Sequence, residues 1–270
     1  MKNQKIALVT GSSSGMGRAT VSLLAQNGYV VYAGSRSPSK LLDIANDSIK
    51  PLELDITNIE LVKEQIAKIG QVDILVNNAG YGLVSTVEEM DEEQMFKQFD
   101  VNLFGLLRVS KAVIPIMRKQ QSGVIINISS FLGKIGLPLL TMYNASKYAV
   151  EGVTDSLRYE LRDFNIRVHS IMPGFFDTEF ERNNLVTNLK SFEKESPYSA
   201  MVSNLAPAIV EQINGGNDSK DVAKMILKII EDKNFPARCT VGDKASKFIP
   251  MRRELSDEDF ERRVREYYNL

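Results

Sequence analysis

Short runs of Val, Ile, Leu and Ala recur along the chain, each followed by a longer stretch in which apolar residues return every three or four positions. "KIALVT" gives way to "RATVSLLAQNG", then "YVVYAGSR" follows, and "IKPLELDIT" leads into "IELVKEQIAKIG" and "VDILVNNAG". A long helical region from Asp91 to Gln120 precedes "GVIINISS", and a helix through "NASKYAVEGVTDSLRYELRDF" precedes "IRVHSIMPG". Strands apolar on both faces and separated by helices predict a parallel sheet covered on both sides, a doubly wound α/β fold. Right-handed crossovers then bring the C-terminal ends of the strands to one edge, where such folds bind ligands.

After Pro173 the pattern lapses. Residues of about 175–218 cluster Asn, Ser, Gly and Pro between short apolar groups, and read as a mobile segment covering a substrate rather than as core. A helix is expected again at "SKDVAKMILKIIED", with Ser219 as N-cap, then a strand at "RCTVGD" and an extension of about 243–270. The charged, aromatic tail mixes acids with its arginines and predicts a solvated helix on its own domain rather than a membrane-surface helix. With no repeat or linker to divide it, the chain is expected to form a single domain over 1–270.

A formal net charge of −1, with both signs interspersed, provides no basic stripe for nucleic acid. One cysteine, Cys239, and one histidine, His169, are too few for a disulfide or a zinc site, so no metal and a reducing compartment are expected. Cys239 reads as a small buried hydrophobe and His169, inside a strand, as a satisfied core histidine. No run approaches the roughly 20 apolar residues of a membrane span, and the expected location is cytoplasmic.

The first strand empties into "TGSSSGMGRAT", which sets Gly11, Gly15 and Gly17 between a strand and a helix. Glycines there permit a tight turn and let backbone approach a pyrophosphate, whose charge the helix N-terminus stabilises. The second strand ends in "AGSRS" without an acid. Gly34 and Ser35 leave space, and Arg36 offers a planar clamp for a 2′-phosphate, so the expected cofactor is NADP(H); the alternative is an Arg36 that is only a surface charge. Asp55 can accept a hydrogen bond from an adenine amino group or simply cap a turn. Tyr143 and Lys147 fall four residues apart and share a helix face.

Together, "TGSSSGMG", "NNAG" at 77–80, Asn102 in "VNLFG", "NISS" ending at Ser130, "YNASK" and "PGFFDT" resemble the short-chain dehydrogenase/reductase family, in its order and spacing. The later "TVGDKASKF" and "RREL" look more like its bacterial NADPH-dependent carbonyl reductases and hydroxysteroid or retinol dehydrogenases. The resemblance implies a Rossmann-type sheet and a reduction of a ketone or aldehyde, or the reverse, with Tyr143 as general acid/base. A free tyrosine has a pKa of ~10, and a neighbouring cation such as Lys147 favours its phenolate. The resemblance gives Lys147 a second task, holding the nicotinamide ribose; Ser130 donates to the substrate oxygen, and Asn102 anchors a water linking the lysine to solvent or stabilises a helix irregularity. Side chains alternate along a strand, so one of Ser129 and Ser130 is expected to reach Tyr143, and the family spacing selects Ser130.

The implied cofactor contacts are Gly11, Ser13, Ser14, Gly15, Met16, Gly17, Arg36, Asp55, Ile56, Asn78, Ala79, Gly80, Tyr143, Lys147, Pro173, Gly174, Phe176 and Thr178. Phe175, Phe176, Phe180, Leu185 and Met201 suggest an apolar substrate cavity. The family's habit of pairing implies a homodimer or homotetramer, with Val113, Met117 and Leu157 as candidate interface residues. Two alternatives are an NADP(H)-binding sensor without catalysis and a 3-oxoacyl carrier-protein reductase. The extended sugar-nucleotide epimerases and dehydratases carry a G-x-x-G-x-x-G loop, which is not the spacing here.

Overall fold

A computed structural model describes residues 4–176 and 185–270. Seven parallel strands form the central sheet: β1 (Ile6–Thr10), β2 (Val30–Ser35), β3 (Ile49–Glu53), β4 (Ile74–Asn77), β6 (Gly123–Ile128), β7 (Ile166–Pro173) and β9 (Arg238–Val241). Their order is β3-β2-β1-β4-β6-β7-β9, so the winding reverses between β1 and β4 and opens a crevice at their C-terminal ends.

Alternate residues of the strands feed two cores. On one face Ala7, Val9, Val31, Ala33, Val76, Ile126 and Ile171 pack under α1 (Gly15–Gln26) and α7 (Ser219–Glu231). On the other, Leu8, Leu75, Ile125 and Val168 meet α2 (Ile59–Ile69), α4 (Leu106–Gln120) and α5 (Thr141–Glu160). Val113, Met117 and Leu157 belong to this second core, at 0%, 0% and 8% exposure, which removes them as interface residues. They lie on the sheet-facing stripes of α4 and α5, and periodicity alone does not tell such a stripe from an interface.

The stretch after Pro173 differs from expectation. Its residues 199–214 form a regular helix, α6 (Ser199–Asn214), with Val202, Leu205 and Ile209 buried. With Phe131, Leu139, Phe175 and residues of α8 (Asp243–Glu254) and α9 (Asp257–Tyr268), they make a third core. Much of the segment is thus packed structure rather than a loose cover, and the C-terminal tail packs on its own domain through Phe248, Phe260, Val264 and Tyr268. A small parallel sheet of β5 (Gly82–Val84) and β8 (Leu185–Thr187), absent from the sequence reading, joins this region to the main body.

The long helical region is two helices, α3 (Glu92–Phe99) and α4, joined by a π-helical turn at Asp100–Gly105. Gly105 lies within that turn because a Cβ there would sit 2.5 Å from Ile56 Cδ1. Helix α7 is capped by Asp218, whose side chain accepts from Lys220 N at 2.9 Å, rather than by Ser219. At its other end Arg167 of β7 donates to the carbonyls of Ile229 (2.9 Å), Ile230 (3.0 Å) and Asp232 (3.0 Å), satisfying acceptors that the helix leaves open. His169 is 4% exposed and its Nδ1 donates to Pro236 O at 2.9 Å, a paired core histidine whose pKa burial lowers. Cys239 is half-buried, and burial pushes its thiol up to about 12.

Replacing Arg167 with Ala leaves those three carbonyls without their cation. The expected loss is about 1.5–3 kcal/mol of stability, read from the midpoint of urea unfolding at constant m-value.

Candidate active site

The turn between β1 and α1 is bound to the segment after β4 by backbone proximity. A Cβ on Gly11, which has φ +66°, would lie 2.7 Å from Ala79 Cα, and one on Gly17 would lie 2.6 Å from Asn78 Nδ2. Asn78 Nδ2 donates to the carbonyls of Thr10 and Gly11, both at 3.0 Å, while Thr10 Oγ1 accepts from the N–H groups of Asn78 and Ala79 at 3.0 Å. The first turn of α1 carries no acid, and its N-cap, Ser14, makes no side-chain cap bond. Orphan N–H groups of the helix start therefore meet a cleft of about 350 Å³ lined by Gly11, Ser13, Ser14, Gly15 and Met16. Gly17 is buried and shapes the turn without lining the cleft.

Toward the outer end of the cleft, Arg36 is exposed and makes no hydrogen bond or ion pair among the described residues. Nearby in sequence, Arg18 is instead committed to the Asp43 carboxylate and to Lys40 O (2.8 Å). Ser35 lines the cleft, but Gly34 does not: it lies within β2, and a Cβ there would meet Leu54 Cδ2 at 2.8 Å. Its missing side chain serves strand packing, which corrects the expectation that it makes room for ligand. Asp55 follows the end of β3; its Oδ1 accepts from Thr57 N (2.9 Å) and Thr57 Oγ1 (2.7 Å), so turn capping is one role, and the residue also lines the cleft with Ile56.

Tyr143 and Lys147 occupy the first two turns of α5 and both line the cleft, with Lys147 Nζ 5.7 Å from the Tyr143 ring centroid. Lys147 is 6% exposed and donates to Ile128 O at 2.8 Å. Burial lowers its pKa to about 8, against the opposing charge of Glu151. Ser129 and Ser130, at the end of β6, both line the cleft. They differ in commitment: Ser129 Oγ points to the Lys147 carbonyl at 3.5 Å, while Ser130 Oγ accepts from Leu132 N at 3.1 Å, leaving its own proton available.

Asn102, 2% exposed, lies in the π-helical turn, outside the cleft lining. Its Oδ1 accepts from Tyr81 N (2.9 Å), and its Nδ2 donates to Tyr81 O (2.9 Å) and Ser146 Oγ (3.0 Å). Gly80 lets this group and the lysine close around the backbone: a Cβ there would lie 3.1 Å from Asn102 Oδ1 and 3.8 Å from Lys147 Nζ. Asn78, Ala79, Pro173, Gly174 and Phe176 complete the predicted lining, and Thr178 and Phe180 fall outside the described residues. Tyr81, Lys97, Val101 and Val186 line the cleft without having been anticipated. Adjacency to "NNAG" and Asn102 was a usable signal for Tyr81 and Val101; Val186 arrives through the unforeseen β5–β8 pairing.

A sheet that reverses at β1/β4, a glycine turn at that crevice and a Tyr–Lys pair in the same cleft define a dinucleotide-dependent type of oxidoreductase fold. Residues 5–188 match the short chain dehydrogenase family, and the chain belongs to it. It is 37% identical over 242 residues to the 3-ketodihydrosphingosine reductase of Bacteroides thetaiotaomicron, covering 88% of each chain. Among solved structures it is similar to a short-chain dehydrogenase from Streptomyces avermitilis (TM-score 0.83, 30% identity, 98% of each chain). A second, from Burkholderia cenocepacia and in complex with NADP, gives a TM-score of 0.77 at 27% identity over 97% of each chain.

Substituting Asn102 with Ala removes three buried hydrogen bonds around Tyr81 and Ser146. The expected cost is about 2–4 kcal/mol, measured as the loss of unfolding free energy in denaturant.

Proposed function

We propose that this oxidoreductase reduces an apolar ketone or aldehyde with NADPH, or runs the reverse reaction with NADP. The observation that carries the reading is the meeting of Ser130, Tyr143 and Lys147 in the cleft that also contains the glycine turn. A bound nicotinamide supplies hydride to the carbonyl carbon. Gly11, Ser13, Ser14, Gly15 and Met16 would hold the pyrophosphate through backbone N–H groups, Arg36 the 2′-phosphate, and Asp55, Ile56, Asn78, Ala79, Gly80, Pro173, Gly174 and Phe176 the remaining groups.

The chain's own work is positioning and proton transfer. Ser130 Oγ donates to the carbonyl oxygen and holds it beside the phenol; Tyr143 gives that oxygen its proton as negative charge develops. The Lys147 ammonium stabilises the resulting phenolate, and a water anchored at the Asn102 turn would link that lysine to solvent, from which the proton is replaced. The apolar cluster that includes Val84, Leu137, Leu139 and Leu185 adjoins Tyr143 and supports an apolar substrate. The relative named for reducing 3-ketodihydrosphingosine places that compound in the substrate panel, beside acyl-carrier 3-oxo thioesters as the discriminating control. Self-association into a homodimer or homotetramer is part of this reading; a single-subunit mass by light scattering at micromolar concentration would refute it.

Titration with NADPH and NADH comes first. Arg36→Ala is expected to weaken NADPH about ten- to a hundredfold and leave NADH unchanged. Tyr143→Phe keeps NADPH binding and lowers carbonyl turnover about 10²–10⁴-fold; equal turnover in the variant sinks the catalytic assignment. Because Lys147 loses its proton as pH rises through about 8, kcat for reduction is expected to hold below that pH and fall above it, as a pH–rate profile reads directly.

A further inference from the structure

One turn beyond Lys147 on α5, Glu151 is 2% exposed and is tied to three other parts of the fold. Its Oε1 accepts from Ser170 Oγ of β7, and its Oε2 accepts from Arg238 Nε of β9 at 2.6 Å and faces Lys134 Nζ at 3.5 Å. Arg238 also reaches Glu151 O (3.4 Å) and, through Nη2, Asp155 Oδ1 (2.6 Å). None of Lys134, Glu151, Ser170 and Arg238 lines the cleft.

The turn between Ser130 and Lys134 is pressed onto α5 at this place. A Cβ on Gly133 would lie 2.8 Å from Ser129 Oγ, 2.9 Å from Lys147 O and 3.2 Å from Glu151 Cγ. The carboxylate therefore sits where the serine-bearing turn and the lysine-bearing helix touch, and Lys134 ties the turn to it. A buried carboxylate is a poor source of stability compared with an apolar side chain of its size, so its place here calls for a role beyond packing.

Resting on the reading of Tyr143 and Lys147 given above, we propose that Glu151 is a positioning residue for the reaction: it clamps the Ser130 turn to α5 and sets a buried carboxylate one helical turn from Lys147. Lys147 is buried, and Glu151 is the charge that counteracts its desolvation. Among the described residues, the other groups facing the lysine are Tyr143 on its own helix and the neutral Ile128 carbonyl of β6. Those facing Glu151 are Lys134, Arg238 and Ser170, with Asp155 on the far side of Arg238. The sign of each substitution follows. Removing the carboxylate leaves Lys134 and Arg238 uncompensated and makes the ammonium easier to deprotonate. Removing Arg238 frees the negative charge of Glu151 and makes it harder.

The test follows the pH dependence of Lys147 acetylation by acetic anhydride, read by peptide mass spectrometry, in the wild type, Glu151→Gln and Arg238→Met. This readout needs no turnover, so it stands even where the wild type reduces no carbonyl compound and the functional reading fails. Expected is a midpoint lower by about half a pH unit or more in Glu151→Gln and higher in Arg238→Met. In an active wild type, the alkaline limb of kcat moves with each midpoint and kcat changes more than KM. Unchanged midpoints, or shifts of both variants in the same direction, overturn the proposal and leave Glu151 a packing residue. Where Glu151→Gln does not fold, the sign of the Arg238→Met shift decides alone.

Discussion

Gly11 and Ala79 come so close that no side chain fits between them, and the rest of the site is arranged around that contact. It joins the exits of β1 and β4, the two strands between which the sheet reverses. Thr10 and Asn78 secure it with four hydrogen bonds, each of which satisfies a backbone group that the crevice would otherwise leave open. The direction in which α1 leaves the sheet is thereby set, and with it the aim of the orphan N–H groups at its start. A positive potential for an anion is built here from backbone alone, without a lysine or arginine in the turn.

The other half of the cleft is fixed by buried polar pairs. Asn77 Nδ2 donates to Asn127 Oδ1 (2.9 Å) and Ser110 Oγ (3.0 Å), and Asn127 Nδ2 donates to Thr154 Oγ1 (2.9 Å), joining β4, β6, α4 and α5. Buried hydrogen bonds have directional demands that apolar packing lacks, so this ladder restricts how α5 can slide against the sheet. The π-helical turn adds a second fixed point through Asn102 and Ser146. Tyr143 and Lys147 therefore sit on a helix pinned at several levels, which holds both side chains at fixed places in the cleft.

The sheet was legible in sequence because parallel strands covered on both faces leave apolar runs such as "ILV" and "VII" that no exposed element shares. That the glycine turn, Ser130, Tyr143 and Lys147 share one cleft was legible because each lies at a strand end or helix start that local spacing marks. What escaped depends on distant partners. Three-residue strands such as β5 and β8 carry no readable period, and α6 was hidden because Ser, Asn and Pro interrupt a face whose burial is provided by α8 and α9. Gly34 belongs with these: only the packing of Leu54, just past the end of the neighbouring strand β3, reveals why a side chain is excluded there. Asn102 was read with two roles, and its three hydrogen bonds display the architectural one.

The third core has an implication for how the protein is made. Phe131, directly after Ser130, packs edge-on to Phe175 (5.3 Å between ring centroids) and at 6.3 Å from Phe248 of α8. A domain folds largely as a unit, so elements that share a core become stable together. The residues of the glycine turn are synthesised early, whereas the aromatic support under the serine turn comes from helices made far later. The two ends of the chain are therefore tied to one cleft, and the turn after β6 acquires its apolar floor only when the last helices have left the ribosome.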